Sequence, residues 1–321
     1  MKQGRQRPRG STVCVAMGLA LSLAPGCLSF HRGPMAGEPV DGTFAVIDGT
    51  RVHFVDQGGD GDEPEKSSAP PRPPVVLIHG FASSLRAWAT VMPELTKTRR
   101  VIAMDLRGFG WTDRPRGDYS PAGQARLVLG LMDRLGVARA QVVAHSWGSS
   151  VALALTLAAP ARVERLALYD AWVYEDQLPS TFLWARTSGV GELLFGLFYT
   201  ERPDEKIALA FHDRRFVTQA LVDEVRDQLD RPGTTAAALE AVRGQRFYAM
   251  EDRYRTIAQP VLLLWGREDR VTTLSMGERL SQELPQARLT VYPRCGHFPM
   301  LEARAPSNRD LVAFLDEAEE E

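Results

Sequence analysis

Ser146 stands in Ala144-His145-Ser146-Trp147-Gly148, where the apolar run Gln141–Ala144 gives way to a helical pattern of Val151, Leu155 and Ala158. A serine on so tight a strand-to-helix turn has its hydroxyl pushed clear of the sheet edge, and small residues at 144 and 148 let the turn pack closely. The Trp147 amide, at the helix start, points at negative charge forming beside that hydroxyl. A serine hydroxyl is a weak nucleophile at neutral pH. It needs a histidine within hydrogen-bond reach to take its proton and a carboxylate to hold the histidine's tautomer. The six histidines are scattered and none joins acids or cysteines at ligand spacing, so no metal centre is expected and no cofactor is required. The glycines of Asp105-Leu-Arg107-Gly108-Phe109-Gly110 lack dinucleotide-binding spacing.

The elements that must position Ser146 are short and apolar. Val75–Ile78, Val101–Met104, Gln141–Ala144, Arg165–Tyr169, Pro260–Trp265 and Arg288–Tyr292 read as strands covered on both faces. Thr43–Ile47 and Arg51–Asp56 alternate around Asp48-Gly49, a hairpin signal. Helical patterns lie between the strands, including Leu127, Leu131 and Leu135 on one face, and a last helix is expected from a Ser307 N-cap through Leu315. This alternation predicts an α/β fold with a mainly parallel, doubly wound sheet. Between Tyr169 and Pro260 the rhythm breaks. Helical stretches around Phe182–Arg186, Glu192–Phe198, Glu205–Phe211, Val217–Leu229 and Thr235–Met250 predict a helical cap inserted after the sixth core strand.

Five segments resemble those of the α/β-hydrolase fold family. Ala144–Gly148 is similar to its nucleophile elbow, with alanine at the usual first glycine. His79-Gly80-Phe81 follows the third strand, Asp105–Thr112 the fourth, and Gly266-Arg-Glu268-Asp269 and Cys295-Gly296-His297 the last two. The resemblance implies Ser146 as nucleophile, His297 as base and Asp269 as the acid orienting it, with Asp170 the alternative acid. It implies an oxyanion hole from the Phe81 and Trp147 amides and an acyl-enzyme at Ser146. His79, Asp105 and Arg107 read as structural. A serine at 146 disfavours relatives that open epoxides or displace halide through an aspartate.

The expected substrate is a small or medium apolar carboxylic ester, held in a cavity lined by Trp172, Phe182, Leu183, Trp184, Phe195, Phe198, Tyr199 and Phe247. Phe216–Glu224 and Arg294–His297 resemble hydrolases that cleave C–C bonds in ring-fission products, yet their Gly-rich continuation after His-Gly is here Phe81-Ala-Ser-Ser84. Ser146-Trp147-Gly148-Ser149 resembles proline iminopeptidases. C–C and peptide hydrolysis therefore stay open, as does a non-catalytic binding protein of the same fold.

Residues 1–26 read as an export signal: Lys2, Arg5, Arg7 and Arg9 precede the apolar Thr12–Ala24, too short to span a bilayer. Leu23-Ala-Pro-Gly-Cys27 resembles a bacterial lipoprotein cleavage box, making Cys27 a candidate lipidation site and membrane anchor; ordinary cleavage near Gly37 is the alternative. The expected location is the bacterial cell envelope, or the periplasm or medium. Residues 27–42 read as a flexible linker, 43–171 and 256–321 as the core, and 172–255 as the cap. The 321 residues are 44% hydrophobic and 24% charged, ample for a core and unlike a disordered chain. Net charge is −2 overall, and without residues 1–26 it is 34 basic against 40 acidic side chains, which gives no basic field for nucleic acid.

Overall fold

The computed structural model describes residues 28–37, 39, 41–59 and 72–317. Residues 1–27, with the leader and Cys27, and most of the Gly58–Pro74 loop lie outside them. Eight strands form one sheet: β1 (Thr43–Ile47), β2 (Thr50–Gln57), β3 (Val75–Ile78), β4 (Val101–Met104), β5 (Ala140–His145), β6 (Val163–Tyr169), β7 (Val261–Gly266) and β8 (Ala287–Tyr292). Their order is β1-β2-β4-β3-β5-β6-β7-β8. β2 pairs antiparallel with β1 and β4, and every other pairing is parallel.

Strands β3, β4 and β5 are buried along their whole length because both faces are covered. Val76, Ile78, Ile102 and Met104 join one core layer, while Val75, Leu77, Val101 and Ala103 join the other. This is why their sequences are apolar without alternation. The first layer is closed by α1 (Pro121–Arg134) and α2 (Gly148–Ala158). Ser120 caps α1, its Oγ accepting from Gly123 N at 3.1 Å. From β3 the chain steps to β4 on one side and then returns to β5 on the other. The crevice at that reversal is where open α/β sheets place ligands. The segments leaving β3 and β5 are His79-Gly80-Phe81 and Ser146-Trp147.

Between β6 and β7 lie α3 (Ser180–Ala185), α4 (Val190–Phe198), α5 (Pro203–Ala210), α6 (Gln219–Leu229) and α7 (Thr234–Gly244). The stretch Thr235–Met250 is not one helix. It stops at Gly244, whose Cβ would lie 2.7 Å from Ser120 N, and a short turn at Tyr248–Glu251 follows. After β7 come α8 (Leu274–Glu283) and, past β8, α9 (Arg304–Leu315). Ser307 is not the N-cap of α9. It lies inside the helix, buried, with Oγ donating to Pro299 O at 3.1 Å.

The start of the described chain makes contacts with the core and the cap. Arg114 N donates to His31 O at 3.2 Å in an antiparallel bridge. Met35 is buried, its sulfur 3.7 Å from the Arg114 guanidinium, and Leu28 packs on the cap. The short apolar residues spaced through this polar stretch give it places to attach.

Candidate active site

At the end of β5 the chain turns through Ser146 with φ +52°. A non-glycine residue in the left-handed region persists only where its surroundings fix it. Ser146 N donates to Tyr169 O at 2.9 Å, and its carbonyl accepts from Ser149 N at 2.9 Å and Trp172 N at 3.1 Å. Glycine at 148 is compulsory, since a Cβ there would sit 2.4 Å from His79 O. Gly80 packs on the serine itself, with a Cβ position 3.0 Å from Ser146 Cβ. Ala144 is accommodated in the sheet core instead of the usual glycine.

His297 is held on the facing loop. Its Nδ1 lies 2.7 Å from Asp269 Oδ2, and its backbone N donates to Ala210 O on the cap at 2.7 Å. Asp269 Oδ1 accepts from Val271 N at 2.7 Å and Thr272 N at 3.1 Å, while Oδ2 also accepts from Thr272 Oγ1 at 2.6 Å. Burial pushes the Asp269 carboxyl up, but His297, Thr272 and the Val271 amide together outweigh it and hold it below the usual range. The carboxylate thus fixes the imidazole with Nδ1 as donor and Nε2 as acceptor. The loop is tied by two acids: Glu268 accepts from Cys295 N at 3.0 Å, and Glu302 from Gly296 N at 2.7 Å and His212 N at 2.8 Å.

Among the described residues neither Ser146 Oγ nor His297 Nε2 has a hydrogen-bond partner, and the two rings that join their loops are close. His145 and His297 have centroids 4.7 Å apart, and His145 Nε2 donates to His297 O at 2.8 Å. Burial first, then the charge of His297, lowers His145 to about 3, so it is a neutral imidazole. The Phe81 and Trp147 amides likewise reach no acceptor among the described residues, as donors kept for a ligand would be.

Asp170, the alternative acid, does not reach His297. Its Oδ1 accepts from Gly266 N at 2.9 Å, and its Oδ2 is buried without a partner. Burial and then the Asp269 charge raise it well above the carboxylate range, which favours its neutral form. Asp170, Asp269 and His297 present ligand atoms within 4.8 Å of one another. The oxygens of Asp269 are already taken by amides, Thr272 and His297, which suits a hydrogen-bond network better than a cation. His79 is structural, its Nδ1 2.7 Å from Gly80 O and its Nε2 accepting from Leu106 N at 3.0 Å. So is Asp105, which accepts from Leu85 N and Trp111 N and pairs with buried His53 at 2.7 Å. Thr272, His145 and His53 were not singled out by the sequence; only the Asp269-x-x-Thr272 spacing, a local turn pattern, signals one of them.

The aromatic lining is half of that expected. Phe81 lies within 5.6–6.3 Å of Phe109, Trp147, Phe182 and Tyr199, centroid to centroid, and Trp172 is 6.1 Å from Phe182. Trp172 Nε1 and Tyr199 Oη are buried there without partners. Phe195 stacks on Tyr199, whereas Phe247 is core. Leu183 and Trp184 on α3 and Phe198 on α4 face solvent, while Phe182 and Phe195 of the same helices turn inward. A surface recess lies at the opposite, N-terminal ends of β6–β8, around Arg165 and Gln259, and touches none of these residues.

An α/β sheet with a reversal crevice, a serine turn at β5, and a His–Asp pair beyond β7 and β8 defines an α/β hydrolase. Residues 73–304 match the family model of the alpha/beta hydrolase fold, and the chain belongs to that family and is a hydrolase. It is 32% identical over 256 residues to a 2-hydroxy-6-oxo-2,4-heptadienoate hydrolase of Pseudomonas putida, covering 76% of this chain and 88% of that one. It is 32% identical over 261 residues to a 2-hydroxymuconate semialdehyde hydrolase of a Pseudomonas strain, covering 77% and 88%. Among solved structures, a meta-cleavage product hydrolase of Pseudomonas fluorescens superposes with TM-score 0.72 at 28% identity, covering 86% of this chain and 97% of that one. An enol-lactonase of Burkholderia xenovorans gives 0.69 at 25% identity, covering 86% and 100%.

Proposed function

We propose that the protein is a serine hydrolase that cleaves a C–C bond in a vinylogous 1,5-diketone of the ring-fission type. The observation that carries the serine mechanism is the His297–Asp269 pair, with its Nε2 free, on the loop that His145 ties to the Ser146 turn. His297 takes the hydroxyl proton as Oγ adds to the carbonyl carbon, and the oxyanion accepts from the Phe81 and Trp147 amides. Collapse breaks the adjacent C–C bond. The released electron pair is accepted as an enolate by the second carbonyl, the proton returns from His297, and water then hydrolyses the acyl-serine. Trp172 Nε1 and Tyr199 Oη, unpartnered in the aromatic wall, suit a substrate with a second oxygen function. The names of the relatives favour this substrate over the simple ester expected from the sequence.

The ester reading keeps one specific observation. Where C–C hydrolases resembled by this chain continue glycine-rich, Ala82 stands at φ +54° and the Phe81 ring packs edge-on against Phe109. Turnover of 2-hydroxy-6-oxo-2,4-heptadienoate set against p-nitrophenyl butyrate decides between them. A larger kcat/KM on the ester overturns the C–C assignment. Failure of a fluorophosphonate to label wild type, while Ser146→Ala behaves identically, overturns the serine mechanism and leaves a binding protein.

A further inference from the structure

The outer side of the cap is unusually apolar. Leu183 and Trp184 on α3, Leu193, Leu197 and Phe198 on α4, and Leu209 on α5 are 41–61% exposed. α3 and α4 pack together through Ala185 and Phe195, so their outer faces adjoin, and Leu193 and Leu197 stand one turn apart. A concentration of apolar side chains like this marks an interaction surface.

Where the chain enters the fold says what covers it. Leu28 lies on the same helix, its Cδ2 3.9 Å from the position a Gly196 Cβ would take, and packs on the Ala185–Phe195–Leu239 cluster. From there the chain is pinned through the His31–Arg114 bridge and buried Met35. Cys27 is joined directly to Leu28, about 3.8 Å from Cα to Cα, and follows the apolar Thr12–Ala24. An acyl group on Cys27, or the retained apolar run, therefore joins the chain one residue before the one that packs on α4. It brings α4 to the bilayer.

We propose that the outer face of α3 and α4 is a membrane-docking surface, held against a phospholipid bilayer by the anchor at Cys27. Trp184 sits at the headgroup boundary, where an amphipathic ring is at home, and Leu193 and Leu197 enter the acyl edge. The inner sides of the same helices carry Phe182 and Tyr199 over the candidate site.

The test uses the full chain, extracted from its host's membranes and reconstituted in phosphatidylethanolamine–phosphatidylglycerol vesicles, against Trp184→Gln, Leu193→Gln and Leu197→Gln. Trp88, Trp147 and Trp265 are wholly buried, Trp172 nearly so, and Trp111 is half-buried beneath Arg231, so the part of the brominated-lipid quenching that Trp184→Gln removes reports on Trp184. Expected are quenching in wild type that is absent in Trp184→Gln, and protein transfer between vesicles about tenfold faster for each substitution, the equivalent of ~1.4 kcal/mol. Hydrolysis of a soluble substrate stays unchanged in all three, which separates docking from folding and from chemistry. Unquenched Trp184 on vesicle-bound protein overturns the docking face. So does a detergent-stable dimer that these substitutions dissociate, which makes a second copy the occupant. A mature N-terminus beyond residue 27 removes the anchor.

Discussion

Replacing Asp269 by asparagine isolates the carboxylate's contribution without changing shape. Oδ1 accepts from Val271 N at 2.7 Å and Thr272 N at 3.1 Å, and an asparagine carbonyl oxygen keeps both bonds. Oδ2 accepts from His297 Nδ1 at 2.7 Å and from Thr272 Oγ1 at 2.6 Å, and an NH2 placed there is a donor facing two donors. Thr272 can turn its proton to Asp170 O, 3.1 Å away, and accept from the new amide. His297 relieves the clash only by moving its proton to Nε2, and then it cannot take the Ser146 proton. The fold should therefore lose little, about 1 kcal/mol, the net worth of one hydrogen bond. The rate should fall about 10⁴-fold, as for the same exchange in a serine protease, or ~5.5 kcal/mol of barrier. Stopped-flow acylation by a p-nitrophenyl ester measures the rate, and urea unfolding the stability. Wild-type acylation in Asp269→Asn would refute the tautomer argument, and an unfolded variant would mean that Asp269 holds the loop rather than the imidazole.

The remaining expectations rest on neighbouring groups. Asp170→Asn should be almost silent in kcat, because the amide imitates a neutral carboxyl that accepts from Gly266 N; loss of activity there, with Asp269→Asn active, moves the acid to 170. His145→Gln, which keeps a donor toward His297 O, should retain most activity, while His145→Leu should lower kcat with little change in KM; equal losses would make His145 mere packing. His145 also predicts a pH effect. Its native value is depressed to about 3, so below the unfolded value near 6.5 the unfolded chain binds a proton that the native chain does not. Stability from this group should then fall with falling pH by about 1.4 kcal/mol per unit from roughly pH 6 to 3, and urea midpoints of His145→Gln should lack that component. Gly148→Ala drives a Cβ to within 2.4 Å of His79 O, and unfolding should show a loss of about 1–3 kcal/mol.

Much of this was legible in the sequence because it depends on local chemistry. The apolar runs located six of the strands to within two residues; for β3 to β7 this is because both faces are covered, whereas Arg288–Tyr292, expected to be covered on both faces, lies in the edge strand β8 and is mostly only partly buried. The serine turn was legible because Gly148 follows from a backbone contact. What stayed hidden depends on distant partners. His145 reads as a filler inside the elbow until the His297 loop, some 150 residues on, supplies its acceptor. Thr272 looks like an ordinary loop residue, though it lies against Asp269, Asp170 O and His297 at once. The outward face of the cap is hard to read because, Glu192 apart, α4 is apolar, and its exposed Leu193, Leu197 and Phe198 are the same kind of residue as its buried Phe195. The contacts of Leu28, His31 and Met35 were hidden because single residues in a polar stretch carry no periodic pattern.

Three aspartates follow three strands of this sheet, and their surroundings alone divide the work among them. Asp105, after β4, is buried; hydrogen bonds from His53 and the Trp111 amide and the charges of His79 and His53 overcome the desolvation, so it stays low and braces the turns beside β3. Asp170, after β6, is buried beside a second carboxylate with one amide to bond, and so it is raised and neutral. Asp269, after β7, receives two amides, a hydroxyl and an imidazole. Two carboxylates this close cannot both be charged at low cost, and the proton goes to the one with fewer donors. Neutrality at Asp170 is thus part of what keeps the charge at Asp269, facing His297. Adding a donor to Asp170 Oδ2 would raise the competing charge and weaken the hold on His297, although neither residue of the pair had been touched.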